Sequence, residues 1–297
     1  MPQKKKCVFV VNPISGIGKQ KDIPLLVKQH LNANLFEYDI IFTEYPGHAT
    51  EIGGSYRDQV DYVIAVGGDG TINETARALL GSQAVLGIIP LGSGNGFARH
   101  LNISTNPTRA IKQLNVSQES LLDVGFLNGH PFFNVSGTGF DALISKKFAN
   151  QAQRGYATYI RCIWEEIASY QPRTYRYKLN GKEVEDSFFL IAFANSEQYG
   201  NNAVIAPQAQ TNDGLLDIVF VRPFPPAYVI AFTLLAFTRQ IHLSPYVEIT
   251  QAKQFEIQQL NDPLIHIDGE YVKTEEQNLS ISLQPQNLRV LRPSRTS

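Results

Sequence analysis

The run Gly67-Gly68-Asp69-Gly70-Thr71 limits what this chain can fold into more than any other stretch. The apolar residues Tyr62 to Val66 precede it and the amphipathic residues Ile72 to Leu80 follow, so the order is strand, glycine turn, helix. Glycines at a strand end let backbone N–H groups come close to a ligand, and the positive end of the next helix favours an anion such as phosphate. Asp69 is the odd member, because a carboxylate repels phosphate unless a cation stands between them. The turn therefore reads as a site for a nucleotide bound with Mg²⁺.

Up to about residue 125 short apolar runs alternate with amphipathic ones: Cys7–Val11, Ile23–Leu31, Tyr38–Thr43, His48–Arg57, Tyr62–Val66, Ile72–Leu80 and Val85–Pro90. That alternation predicts an α/β domain, a parallel sheet in a three-layer, Rossmann-like arrangement. Ligands in such sheets lie at the carboxyl ends of strands. The segments at those ends are Asn12–Gly16, Thr43-Glu44, Gly67–Thr71 and Leu91–Gly96.

Beyond residue 125 strand signals separated by turns take over: His130–Val135, Thr174–Leu179, Ser187–Ala194, Leu215–Val221, Val247–Ile257, Leu264–Ile267 and Leu279–Leu283. Asn180-Gly181 is a hairpin signal, and Ala157–Tyr170 reads as a helix. The expectation is a mainly antiparallel β-sandwich with helical insertions. With 297 residues, two domains are expected: a nucleotide-binding domain over 1–126, with 286–297 returning to it, and a β-rich substrate domain over 127–285.

The formal net charge of -1 gives no basic footprint for a nucleic-acid partner. Cys7 and Cys162 lie in apolar runs without Cys-x-x-Cys spacing and read as buried thiols in a reducing compartment. Lys4 to Val11 has the look of a signal peptide, but Asn12-Pro13 cuts its apolar core short. Ala227–Phe237 is too short to span a bilayer and reads as a buried helix, with an interfacial one as the alternative.

A second glycine segment, Pro90-Leu91-Gly92-Ser93-Gly94-Asn95-Gly96-Phe97-Ala98-Arg99, again follows a strand and opens a helix, with a hydroxyl and an amide suited to phosphate or ribose. Asn12 to Lys19 lacks the spacing of a P-loop, so that class is set aside. Lys19 is either a phosphate contact or a solvated lysine. His48, His100 and His266 show no metal-ligand spacing and read as structural.

Taken in order, Asn12-Pro13-x-Ser15-Gly16, Gly67 to Glu74, Pro90 to Arg99, Gly137-Thr138-Gly139-Phe140-Asp141-Ala142, Asp213-Gly214-Leu215-Leu216-Asp217 and Asp268-Gly269-Glu270 resemble the diacylglycerol kinase catalytic-domain family. That family includes bacterial lipid kinases, sphingosine kinases and ceramide kinases. The resemblance implies an ATP- and Mg²⁺-dependent lipid kinase that moves the γ-phosphoryl group to a lipid hydroxyl in a cleft between two domains.

By the same resemblance, nucleotide contacts fall to Asn12, Thr43, Gly67, Gly68, Asp69, Gly70, Thr71, Ile72, Asn73, Glu74, Ser93, Gly94 and Asn95, with Asp69 and Glu270 catalytic. Glu270 would be the general base, since phosphoryl transfer needs positioning, charge neutralisation and one acceptor for the hydroxyl proton. A structural Mg²⁺ would be held by the Asp213 carboxylate and the carbonyls of Gln210 and Leu215; Asp217 is left out, because its strand could point it to either face.

The chain departs from relatives at Ser93, where threonine is common, and at Gly96, where aspartate is common. The second change removes a carboxylate from a group that would include Asp69 and Asp123, and it leaves the lipid open between diacylglycerol and a sphingoid acceptor. Two other readings stay open: a kinase of a soluble acceptor such as NAD, since NAD kinases resemble the chain at Gly67–Thr71, and a nucleotide-binding module without chemistry. The expected partner is a lipid presented at a membrane surface, approached by a cytosolic protein through Phe224–Phe237 beside Arg222 and Arg239; a homodimer is allowed.

Overall fold

In the computed structural model, which describes residues 3–15, 19–151, 155–179, 182–260 and 263–294, the chain forms two units: Met1–Leu122 with Pro285–Ser297, and Asp123–Gln284. In the first, the apolar runs become parallel strands, the three inner ones buried on both faces over most of their length and the edge strand partly exposed. Its elements are β1 (Lys5–Val11), α1 (Ile23–His30), β2 (Phe36–Phe42), α2 (His48–Tyr56), β3 (Tyr62–Gly67), α3 (Asp69–Ala78), β4 (Val85–Pro90), α4 (Gly96–His100) and α5 (Pro107–Leu114). The strand order is β2-β1-β3-β4, and the C-terminal segment returns beside β4 with Val290 parallel to Leu86.

The helix α3 buries Ile72, Thr75 and Ala76 on one stripe, which is why its sequence carries apolar and small residues at that spacing. Gly53 of α2 lies where a Cβ would stand 2.9 Å from the Ala78 Cβ, so α2 and α3 pack closely. These helices fix the carboxyl end of β3, where the first glycine turn lies.

In the second unit β5 (Ser117–Leu127) enters, followed by β6 (His130–Phe132), β7 (Val135–Gly139), α6 (Phe140–Ala149), α7 (Tyr156–Glu166), β8 (Arg173–Leu179), β9 (Lys182–Phe188), β10 (Leu190–Ala194), β11 (Gln198–Gly200) and β12 (Ala203–Val204). Then come β13 (Leu216–Val221), α8 (Val229–Phe237), β14 (Val247–Ala252), β15 (Gln254–Gln259), β16 (Ile265–Ile267), β17 (Glu270–Val272) and β18 (Asn278–Pro293). One antiparallel sheet runs β14-β13-β10-β7-β16-β17 and the other runs β18-β15-β8-β9.

Tyr175, Phe188, Phe193, Phe220, Ile257 and Ile281 from both sheets form the sandwich core. The opposite face of the first sheet is covered by side chains of α6, α7 and α8. The fold is therefore an α/β domain followed by an antiparallel β-sandwich, as the sequence predicts.

Two expected strands each prove to be a pair. Ser187–Ala194 divides at Phe189 into the end of β9 and β10, and Val247–Ile257 divides at Lys253 into β14 and β15. In both the chain passes from one sheet to the other; in the first an apolar run that stays buried across the step hides the break, and in the second the alternation of apolar and polar residues continues almost unbroken past Lys253. The turn Asn180-Gly181 lies outside the described residues; the strands it joins pair with Leu179 opposite Lys182.

The buried reading of Ala227–Phe237 is corrected. Within α8 only Val229 is buried, while Ile230 and Leu234 are 70% and 63% exposed. Phe232, Leu235 and Ala236 cover the core beneath, and a helix apolar on all sides has no polar face left to turn outward. No helix among the described residues is long and apolar enough to cross a membrane. Both cysteines are free and buried, and burial, with Asp61 and Asp39 nearby, pushes the Cys7 thiol up to about 12.

Candidate functional site

The glycine segments at the ends of β3 and β4 touch backbone to backbone. A Cβ on Gly92 would lie 2.8 Å from the Gly68 Cα, and a Cβ on Gly67 would lie 2.5 Å from the Thr71 hydroxyl. Glycine is required at both, because nothing larger leaves room for the neighbouring turn. Leu91 N–H donates to Gly67 O at 2.7 Å and ties the two segments at their base.

Asp69 completes the joint. Its Oδ2 accepts the Asn95 N–H at 2.8 Å and its Oδ1 the Gly96 N–H at 3.0 Å. Asn95 sits at φ 51° and Gly96 is the first residue of α4, so the carboxylate on α3 caps the start of α4 from across the loop. Burial raises the Asp69 carboxyl above its usual range, against the two N–H bonds and the charge of Arg99, which lower it. Arg99 Nε in turn donates to Gly94 O at 3.1 Å. Asp69, expected to face a cation and to serve as a catalytic and nucleotide-contact residue, holds the two glycine segments in register.

The other expected nucleotide residues divide into groups. Asn12 Nδ2 donates to Thr71 Oγ1 at 3.0 Å while its Oδ1 accepts Ile14 N–H at 3.0 Å, so the end of β1 is linked by side chains to the first turn of α3. Thr43, just past β2, is buried and its N–H donates to Val11 O at 2.9 Å. Gly70 and Asn73 lie half-buried on the first turns of α3, Ser93 is exposed, and Gly94 is half-buried.

Asn95 Nδ2 donates to Gly92 O at 2.7 Å, and its Oδ1 is buried with no hydrogen-bond partner among the described residues. Ile72 and Glu74 point elsewhere. Ile72 is a core side chain, and Glu74 Oε1 accepts the Gly47 N–H at 3.0 Å at the start of α2. Of Lys19, no side-chain position is among those described.

These features fit a phosphate-bearing ligand. The close glycine backbones form a cradle that side chains would fill, which suits phosphate, whereas the unpaired Asn95 Oδ1 calls for a donor such as a hydroxyl. A stacked pair, Tyr45 and His48 with ring centroids 4.5 Å apart, follows β2, and His48 Nδ1 accepts the Glu44 N–H at 3.1 Å.

In the second unit Glu270 is exposed and opens β17, opposite Ile267 of β16. The two residues between, Asp268 at φ 49° and Gly269 at φ 84°, are both left-handed, as a two-residue hairpin requires. Asp268 Oδ2 accepts the Phe133 N–H at 2.9 Å and its Oδ1 the Asn134 N–H at 2.8 Å, and Asp268 N–H donates to Ser136 Oγ at 3.2 Å.

Asp213 is exposed, and its Oδ1 accepts the Leu215 N–H at 3.0 Å in a tight turn. Gly214, at φ 76°, donates its N–H to the buried Asp123 Oδ2 at 2.7 Å. Burial, reinforced by Asp213, pushes the Asp217 carboxyl up to about 6, against a 3.5 Å contact from Gln251 that lowers it. No group of three or more His, Cys, Asp or Glu side chains able to hold a metal exists among the described residues. The Asp213 turn fits a hard cation only as one carboxylate with main-chain carbonyls, the sparse oxygen set that Mg²⁺ accepts when it keeps several waters.

Residues 6–127 match the family model of the diacylglycerol kinase catalytic domain, and residues 134–292 that of the YegS C-terminal NAD kinase beta sandwich-like domain. A diacylglycerol kinase of Bacillus subtilis (strain 168) is 27% identical over 282 residues, 90% of each protein. A diacylglycerol kinase of Mycobacterium tuberculosis (strain H37Rv) is 30% identical over 229 residues, 73% of each. The crystal structure of a diacylglycerol kinase from Bacillus anthracis (strain Sterne) shares the fold with a TM-score of 0.77 at 22% identity, 98% of each chain being covered.

Proposed function

Because the chain belongs to the diacylglycerol kinase family of lipid kinases, we propose that it transfers the γ-phosphoryl group of ATP to the hydroxyl of diacylglycerol or a sphingoid lipid. The observation that carries this reading is the joint made by Asp69, which holds two glycine segments against each other at the start of α3, where a helix N-terminus suits phosphate. Asn12, Thr71, Ser93 and Asn95 supply polar atoms around it, and Glu270 is the acceptor for the hydroxyl proton. Mg²⁺, when bound, neutralises charge on the transferring group. The Asp213 turn, with the carbonyls of Gln210 and Leu215, is the proposed holder of a structural Mg²⁺.

Turnover of ATP against diacylglycerol, sphingosine, NAD and fructose 6-phosphate, measured side by side, tests the assignment. Transfer to a lipid alone is expected, and Glu270→Gln lowers it by about a hundredfold or more. Transfer only to a soluble acceptor refutes the lipid reading, and wild-type turnover by Glu270→Gln refutes the base.

The protein is proposed to be cytosolic and to meet its lipid at a membrane surface through α8, whose Ile230, Leu234 and Phe237 recur at helical spacing and are exposed. Arg239 and Arg222 on this side are paired with Glu197 and Asp186, so the contact is apolar more than electrostatic. Binding to floated vesicles should fall several-fold in Leu234→Glu and change little with salt; no binding by the parent protein would end the proposal.

A further inference from the structure

Beneath the hairpin that carries Glu270 lies a buried chain of polar groups. Gly269 N–H donates to His266 Nδ1 at 3.1 Å, and His266 Nε2 meets Asp141 Oδ2 at 2.9 Å. An N–H can only donate, so Nδ1 is an acceptor, and the neutral ring carries its proton on Nε2, facing the carboxylate. Tyr199 donates its hydroxyl to the same Oδ2 at 2.9 Å, and Asp141 Oδ1 accepts the Ala142 N–H at 2.8 Å.

His266 is 1% exposed and Asp141 6%. Burial, with Asp141 beside it, holds the Tyr199 phenol well above its ordinary value, so it stays a donor. Room for this chain comes from Gly137, where a Cβ would stand 2.8 Å from Asp141 Oδ2 and 3.2 Å from His266 Nε2. The same helix, α6, also places Lys146 Nζ 5.4 Å from the ring centroid of Tyr271, next to Glu270.

A histidine needed only to fill the core would not need a fixed tautomer aimed at a turn amide. We propose that His266, oriented by Asp141 and Tyr199, is a positioning residue that sets Glu270 through the backbone of Gly269. This rests on Glu270 being the base. Asp268 fixes the hairpin from one side and His266 from beneath, so the two residues before Glu270 are both restrained.

Paired substitutions separate positioning from filling. His266→Asn sets an amide oxygen near the place of Nδ1 and keeps the Gly269 bond, whereas His266→Gln reaches Asp141 and leaves Gly269 N–H without its acceptor. Hydrogen exchange of the 265–272 hairpin should quicken by about tenfold in His266→Gln and stay near wild type in His266→Asn. With ATP, Mg²⁺ and the acceptor turned over fastest in the panel, kcat should be lower by about tenfold in His266→Gln than in His266→Asn, with both KM values within about twofold. In a Glu270→Gln background His266→Gln should cause no further loss.

Equal exchange and equal kcat in the two variants, or a loss that multiplies with that of Glu270→Gln, overturns the proposal. If Glu270→Gln keeps full turnover, the reading of the base has failed instead. Should His266→Gln not fold, Tyr199→Phe, which removes one hydroxyl, carries the test: a fall in kcat of about threefold at unchanged KM supports positioning, and no change overturns it.

Discussion

The glycine joint of the first unit and the Glu270 hairpin of the second solve one problem in different materials. In each, an aspartate accepts two backbone N–H groups from a separate segment: Asp69 from Asn95 and Gly96, Asp268 from Phe133 and Asn134. The first joint otherwise consists of backbone in contact with backbone, which suits a ligand of negative charge. The second rests on side chains, Ser136 and His266 under the turn with Asp141 and Tyr199 behind, which suits holding one carboxylate in one place. Under the proposed function, the first joint would cradle phosphate with amides, and the second would aim a base.

Removing each aspartate's charge should break the two regions in different parameters. Asp69→Asn retains shape but sets an amide NH₂ against a backbone N–H, forfeiting at least one charged hydrogen bond of about 1.5–3 kcal/mol. The expected result is a rise of about a hundredfold in KM for ATP as the loops separate, with a fall of several degrees in the unfolding midpoint. Asp268→Asn should instead lower kcat by about tenfold and leave KM for ATP alone. Steady-state kinetics of both variants decides the matter, and a KM effect from Asp268→Asn would show the two joints to be one system.

A narrower test addresses backbone contact alone. Gly92→Ala adds one methyl 2.8 Å from the Gly68 Cα, and neither backbone can yield without moving a loop. KM for ATP should rise by about tenfold with kcat little changed. Gly54→Ala, on the exposed side of α2 with nothing within 4 Å, is the control, expected to stabilise by up to about 1 kcal/mol and leave kinetics untouched.

The same contrast explains what was legible in the sequence. The first joint is written in two consecutive motifs, Gly67–Thr71 and Gly92–Gly96, because strand, turn and helix are local and the glycines report close contact directly. Its Asp69 link to residues 95 and 96 was not legible, since no local rule says which amides a carboxylate meets. The second joint draws on Phe133, Ser136, Asp141, Tyr199 and His266, scattered over more than a hundred positions on β7, β11, β16, α6 and the turn before β7, and brought together only by tertiary packing. His266 therefore read as an ordinary core histidine. Glu74, Ile72 and the helix after Pro226 show the converse, where local pattern named the segment but packing decided which way each side chain faced.

Asp217 supplies the comparison with a buried carboxylate that lacks such a grip. It is 3% exposed, and Gln251 Nε2 stands 3.5 Å from it in place of two short backbone amides. Burial lifts its carboxyl from the ordinary 3.8 to about 6. Because the folded value lies above the unfolded one, the folded state holds the extra proton between about pH 4 and 6, and stability falls as pH rises through that window. Above it the ionised group should cost on the order of 1 kcal/mol once water's screening is allowed for. Asp217→Asn should therefore stabilise the protein by about that amount at pH 7 and by nothing near pH 4. Urea unfolding of both proteins across that range measures the difference; a gain that is constant with pH would mean that burial does not shift the Asp217 carboxyl.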